Sequence, residues 1–132
     1  MGLLSDCMPE RVDDGMLDAV KPNIFNYLDF RKYLGDVYDY RHSRNRKYTK
    51  TTVCIELGIP NTRSYFNAVL RGRIVSKTKT EDFIRIFGLG KDEATYFRIM
   101  VNYQQATISG EERGWYLGQL LANYRAPEAT SE

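Results

Sequence analysis

The sequence predicts an all-α fold, a compact domain of five to six helices, and three observations lead there. Apolar residues recur at three- and four-residue spacing in one segment after another, no segment alternates apolar and polar residues as a half-buried strand would, and Gly or Pro closes several of the periodic stretches. The 132 residues, 42% of them hydrophobic, suffice for one compact core and argue against two.

Taken in order, residues 1–22 follow neither period and are expected to form a flexible leader, with a short accessory helix around Met16 to Val20 as the alternative. From Asn23, a candidate cap, Tyr27, Leu28, Phe30, Tyr33, Leu34, Val37 and Tyr38 keep a helical period as far as Arg41, which predicts a first helix of about five turns. The polar, basic stretch HSRNRKY at 42–48 predicts a loop that leaves His42, the only histidine, in solvent. Thr49 or Thr51 then caps a short helix that turns Val53, Cys54 and Leu57 inward and ends at Gly58, with Pro60 just beyond. Asn61 or Thr62 opens the next helix, with Phe66, Val69 and Leu70 inward, Arg63, Ser64, Asn67 and Arg71 outward, and Gly72 as its stop.

After a basic connector, Thr78 and Glu81 stand at capping-box spacing ahead of a fourth helix with the stripe Phe83, Ile84, Ile86 and Phe87, ended by Gly88. Residues 92–106 are apolar on nearly every side, as suits a helix packed on two flanks. Ser109 and Glu112 repeat the capping spacing before a last helix carrying Trp115, Leu117, Leu120, Leu121 and Tyr124. The helical domain is thus expected over 23–125, with a polar tail at 126–132.

Charge is unevenly placed. Residues 41–80 hold ten basic side chains against the single acid Glu56, a balance of +9, whereas the rest of the chain carries −7. A nearly neutral protein that gathers its positive charge in one stretch has the footprint of a polyanion partner.

Within that stretch, residues 50–73 combine a short helix, a Gly-containing turn and a second helix with small, polar and basic residues on its first turns, the pattern of a helix-turn-helix. A DNA major groove about 12 Å wide accepts one α-helix, whose first side chains then meet base edges. Arg63 suits guanine and Asn67 adenine, while Thr62 and Ser64 are short enough for a base edge or a phosphate. Lys50 before the motif, and Arg71, Arg73, Lys77 and Lys79 at its far end, suit phosphate contacts. The expected partner is therefore double-stranded DNA, read by helix 62–71. The small area of one short reader favours a homodimer. A non-catalytic helical protein-protein interaction module is the alternative, with the last helix burying its stripe against a second subunit.

The blocks NIFNYLDFRKYLGDVYDYR, TTVCIELGIPNTRSYFNAVLRGR and EDFIRIFGLGKDEATYFRIMVNYQQA occur in this order. Over roughly residues 23–121 the chain resembles a paralogous family of bacterial proteins with an N-terminal Cro- or phage-repressor-like helix-turn-helix. The resemblance implies a transcriptional regulator, and a match to the N-terminal half of its members. Two departures stand out: Ile59-Pro60-Asn61 replaces the small residues usual before the recognition helix, and Thr52-Val53-Cys54 replaces an aromatic and alanine pair.

Other chemistry is thinly represented. One histidine among cationic neighbours supplies neither a metal cage nor a good base, and Cys7 and Cys54 lack disulfide or zinc spacing, so no metal or cofactor is expected. Carboxylates gather at helix starts, where the helix dipole explains them, and no phosphate-cradling loop or nucleophile elbow occurs, so no enzyme is expected. Most of the ten tyrosines fall at helical spacing and suit packing better than base stacking. Without a signal-peptide pattern or a run of roughly 20 apolar residues, a cytoplasmic location is expected.

Overall fold

Asn23 does act as a cap, yet what it caps is a single 3-10 turn, Ile24–Asn26, and not a long first helix. The computed structural model describes residues 20–59, 64–105 and 110–126. The first helix, α1 (Phe30–Arg44), starts from Asp29, whose carboxylate accepts the Arg31 N–H. Partners distant in sequence explain the late start. The Tyr96 hydroxyl donates to the Tyr27 carbonyl, and the Gln104 side chain accepts the Phe30 N–H while donating to Asp29 at 2.9 Å. Backbone groups that a continuous helix would pair internally are thus taken by side chains of a later helix, α5 (Lys91–Gln105).

At its other end α1 runs on to Arg44, so 42–44 is helix and not loop. His42 is half-buried, its ring stacked on Tyr38 with centroids 5.6 Å apart and its Nδ1 2.7 Å from the Tyr48 carbonyl oxygen. The expected solvated histidine is a packing residue, because the chain turns back over it at Tyr48.

Thr49 caps α2 (Lys50–Glu56) in a reciprocal box: its hydroxyl accepts the Thr52 N–H, and the Thr52 hydroxyl accepts the Thr49 N–H. Val53, Cys54 and Leu57 are buried as expected, and Gly58 leaves the helix at φ +84°, where a side chain would be strained. Helix α3 (Ser64–Leu70) follows and stops at Gly72, φ +124°. Asn61 and Thr62, its expected openers, lie outside the described residues.

Helix α4 (Lys77–Ile86) is capped by Ser76, whose hydroxyl accepts the Lys79 N–H at 3.1 Å. Thr78, the expected cap, sits within the first turn, and Glu81 pairs instead with Arg98 across to α5 at 2.6 and 2.8 Å. Lys77 and Lys79 consequently belong to a helix and not to a connector.

Helix α5 (Lys91–Gln105) buries Ala94, Tyr96, Phe97, Met100 and Val101 and packs against the 3-10 turn, α1, α4 and α6 (Gly110–Asn123). Among the described side chains of α6 only Leu120 is buried; Leu117 is half-buried, while Trp115 and Leu121 stay 59% and 54% exposed, so the core covers the expected stripe only in part. Ser109, the expected cap of this helix, lies outside the described residues. The all-α architecture is as the sequence predicts: six helices and one 3-10 turn, with no strand among the described residues. No helix among them is long and apolar enough to cross a membrane.

Candidate functional site

Helices α2 and α3 are too short to persist alone, so their placement depends on what grips them. Phe66, fully buried, fixes the inner side of α3 between the rings of Tyr38 and Phe83, at 5.8 and 6.1 Å. Arg31 of α1 holds its C-terminal end: Nε donates to the Val69 carbonyl at 3.0 Å, and one terminal nitrogen donates to the carbonyls of Gly72 and Arg73, each at 3.1 Å. These carbonyls lie where the helix stops, the Val69 oxygen also accepting the Gly72 N–H at 3.1 Å, and a guanidinium fork suits several at once. The C-terminal end of α2 is gripped similarly from α4, where Lys79 donates to the Leu57 carbonyl at 2.9 Å and Arg85 to that of Glu56 at 3.3 Å. Asp82 lies between those two cations, 3.5 and 3.3 Å away. Gln105 pins the α3–α4 connector with both side-chain atoms, bonding the N–H and the carbonyl of Val75.

None of Arg31, Arg85 or Gln105 stood out in the sequence. Their acceptors lie roughly 30 to 40 residues away, and no spacing rule reaches that far.

The outer side of α3 carries Ser64 and Asn67, and Arg71 follows one residue past its end, in line with them; Ser64 and Arg71 are exposed and Asn67 is half-buried. Asn67 is covered by Lys50, whose Nζ donates to Asn67 Oδ1 at 2.8 Å while lying 5.6 Å from the centre of the Tyr38 ring. Burial pushes the Tyr38 hydroxyl above the ordinary phenol range, helped by the Asp39 charge and opposed by a hydrogen bond with the Lys50 backbone. Beside the stripe, an open groove of about 590 Å³ runs between α3 and the connector, lined by Ile59, Ser64, Tyr65, Ala68, Arg73, Ile74, Ser76 and Lys79. Arg73 rests on the Tyr65 ring at 5.1 Å, and burial raises the Tyr65 pKa while the Arg73 charge lowers it.

The ten cations of the basic stretch divide by what they touch. Arg41 points inward to the Ile86 carbonyl and stacks on Phe87, and Lys79 is committed to α2. Lys50 is held by Asn67, Arg73 by Tyr65, and Arg44 lies over Tyr40. Arg46, Lys47, Arg71 and Lys77 are exposed, and their charged side chains make no hydrogen bond or ion pair to any described residue. Thr62 and Arg63 lie outside the described residues. Of the expected contact residues, then, Ser64, Asn67 and Arg71 share a face with Lys50 alongside, whereas Lys79 serves as a clamp.

Elsewhere, Cys54 is a buried free thiol, and no three His, Cys, Asp or Glu side chains gather into a metal site among the described residues. Tyr48 and Tyr65, the tyrosines of the basic stretch, are half-buried against Arg41 and Arg73 and so offer no open stacking platform. Comparisons with protein-family models, with curated proteins and with solved structures give no match to this chain.

Proposed function

We propose that the chain is a non-catalytic, sequence-specific double-stranded DNA-binding protein of the helix-turn-helix kind, a transcriptional regulator that reads the major groove with the helix containing α3. One observation carries the reading: a short helix gripped at its apolar side and C-terminal end turns outward the stripe of exposed Ser64, half-buried Asn67 and, just past its end, exposed Arg71, inside a stretch of charge +9. A reader helix needs that combination, since its side chains must be small or polar and its angle to the groove must be fixed by the rest of the fold. The exposed cations Arg46, Lys47, Arg71 and Lys77 supply the phosphate contacts, and the acidic remainder of the chain limits binding to this stretch.

The test is fluorescence anisotropy of a labelled random duplex titrated with the protein at several salt concentrations. Four phosphate contacts give a log–log salt slope of about −3 to −4. Lys77→Ala weakens every sequence alike and makes the slope shallower by about 1. Absence of binding at low salt sinks the reading.

A second reading, a helical protein-protein interaction module, draws on α6, where Trp115 and Leu121 remain more than half exposed. The same surface serves a homodimer in the first reading, which brings two reader helices to half-sites one DNA turn apart. Sedimentation at twice the monomer mass, abolished by Trp115→Glu, supports either arrangement; the anisotropy experiment separates them.

A further inference from the structure

Lys50 changes what Asn67 offers to a ligand. An ammonium carries three donors and no acceptor, so the Asn67 atom it faces at 2.8 Å is the amide oxygen, and the amide NH2 is turned away from it. Asn67, half-buried on α3, lies in line with the exposed Ser64 and Arg71, and Lys50 opens α2 beside it, its ammonium held over the Tyr38 ring. The two side chains together therefore present a pair of adjacent donors, the ammonium and the amide NH2, with the amide oxygen between them already accepting from the ammonium. An asparagine free of such a partner presents one donor and one acceptor, the complement of the adenine N7 and N6–H2. A pair of donors is the complement of the guanine O6 and N7, both acceptors, and it meets the adenine N6–H2 with a like-polarity clash.

We propose that Lys50 and Asn67 act as one composite reader that selects guanine, and that Lys50 is the specificity-determining residue that turns Asn67 away from adenine. This rests on the DNA-binding reading above. It replaces the pairing with adenine that Asn67 alone suggests.

The test is selection of bound duplexes from a randomised pool by the full chain and by three variants. Asn67→Ala identifies the base position that depends on this residue. At that position the wild-type protein enriches guanine over adenine by about tenfold, the scale of one good base contact. Lys50→Met keeps the apolar stem over Tyr38 and removes the ammonium, and with it the preference moves to adenine. Asn67→Asp keeps a partner for Lys50 but replaces the NH2 donor with an acceptor, and the guanine enrichment is lost; this variant decides the matter should Lys50→Met fail to fold. Adenine enrichment by the wild-type protein, or guanine retained by either variant, overturns the composite reader while leaving DNA binding intact. A wild-type protein that captures no duplex at low salt overturns the DNA-binding reading itself.

Discussion

Arg31 shows how much one side chain outside any motif decides. Its guanidinium lies 4.5 Å from the centre of the Phe30 ring and donates to three carbonyls at the end of α3, so it ties α3 to α1. Arg31→Ala leaves those carbonyls to water and removes charge-assisted bonds, and a loss of about 2 kcal/mol in urea-unfolding stability is expected. Arg31→Lys recovers little of it, because a single ammonium cannot span acceptors that a planar fork reaches together. Amide exchange should locate the change, with protection falling in α3 and the connector before it falls in α5. A uniform fall across all helices would show that Arg31 contributes to the global core instead of gripping α3.

At the scale of elements, the local signals identified which segments are helices and which side chains turn inward, because a 3.6-residue period reports burial directly. Val53, Cys54, Leu57, Phe66, Val69, Phe83 and Phe87 are buried where the spacing puts them. Ends were harder to read. Ser76 and Thr78 are both competent caps two residues apart, and the Thr78–Glu81 spacing favoured the wrong one because Glu81 has a better partner in Arg98. Tertiary contacts likewise end the helical period before Phe30 and extend it past Arg41 to Arg44. The candidate site was legible as a charge block and an outward stripe, whereas the clamps Arg31, Lys79 and Gln105 depend on contacts that only the fold creates. The cap assignment can be checked directly. Ser76→Ala is expected to cost about 1 kcal/mol in thermal or urea unfolding, while Thr78→Ala, within the first turn, changes stability by less than about 0.5 kcal/mol. Equal losses from the two substitutions would return the cap to Thr78.

At the scale of the whole molecule, the tyrosines join the helices and make stability sensitive to alkaline pH. Burial is the leading cause that raises the phenol pKa of Tyr27, Tyr33, Tyr38, Tyr48, Tyr65 and Tyr96, and for Tyr96, fully packed in α5, it raises it to about 12. Tyr27 is raised further by its hydrogen bond to Asp36, and Tyr33 by the charge of Glu93. In the unfolded chain each phenol loses its proton near pH 10, whereas in the folded chain these groups hold theirs to higher pH. The folded state then binds more protons than the unfolded one, so the stabilisation is complete below about pH 10 and drains away as pH rises through the folded values, near 12 for Tyr96. Urea unfolding followed across alkaline pH should therefore show a steep decline beginning near pH 10, together with phenolate absorbance that appears in two stages, exposed phenols first and buried ones with unfolding. Tyr96→Phe separates the two contributions of one ring: it loses the hydroxyl's bond to the Tyr27 carbonyl, which lowers stability at neutral pH by about 1 kcal/mol, and it makes the alkaline decline shallower. A decline as steep in Tyr96→Phe as in the wild-type protein would place the alkaline sensitivity in the other tyrosines and deny Tyr96 its share.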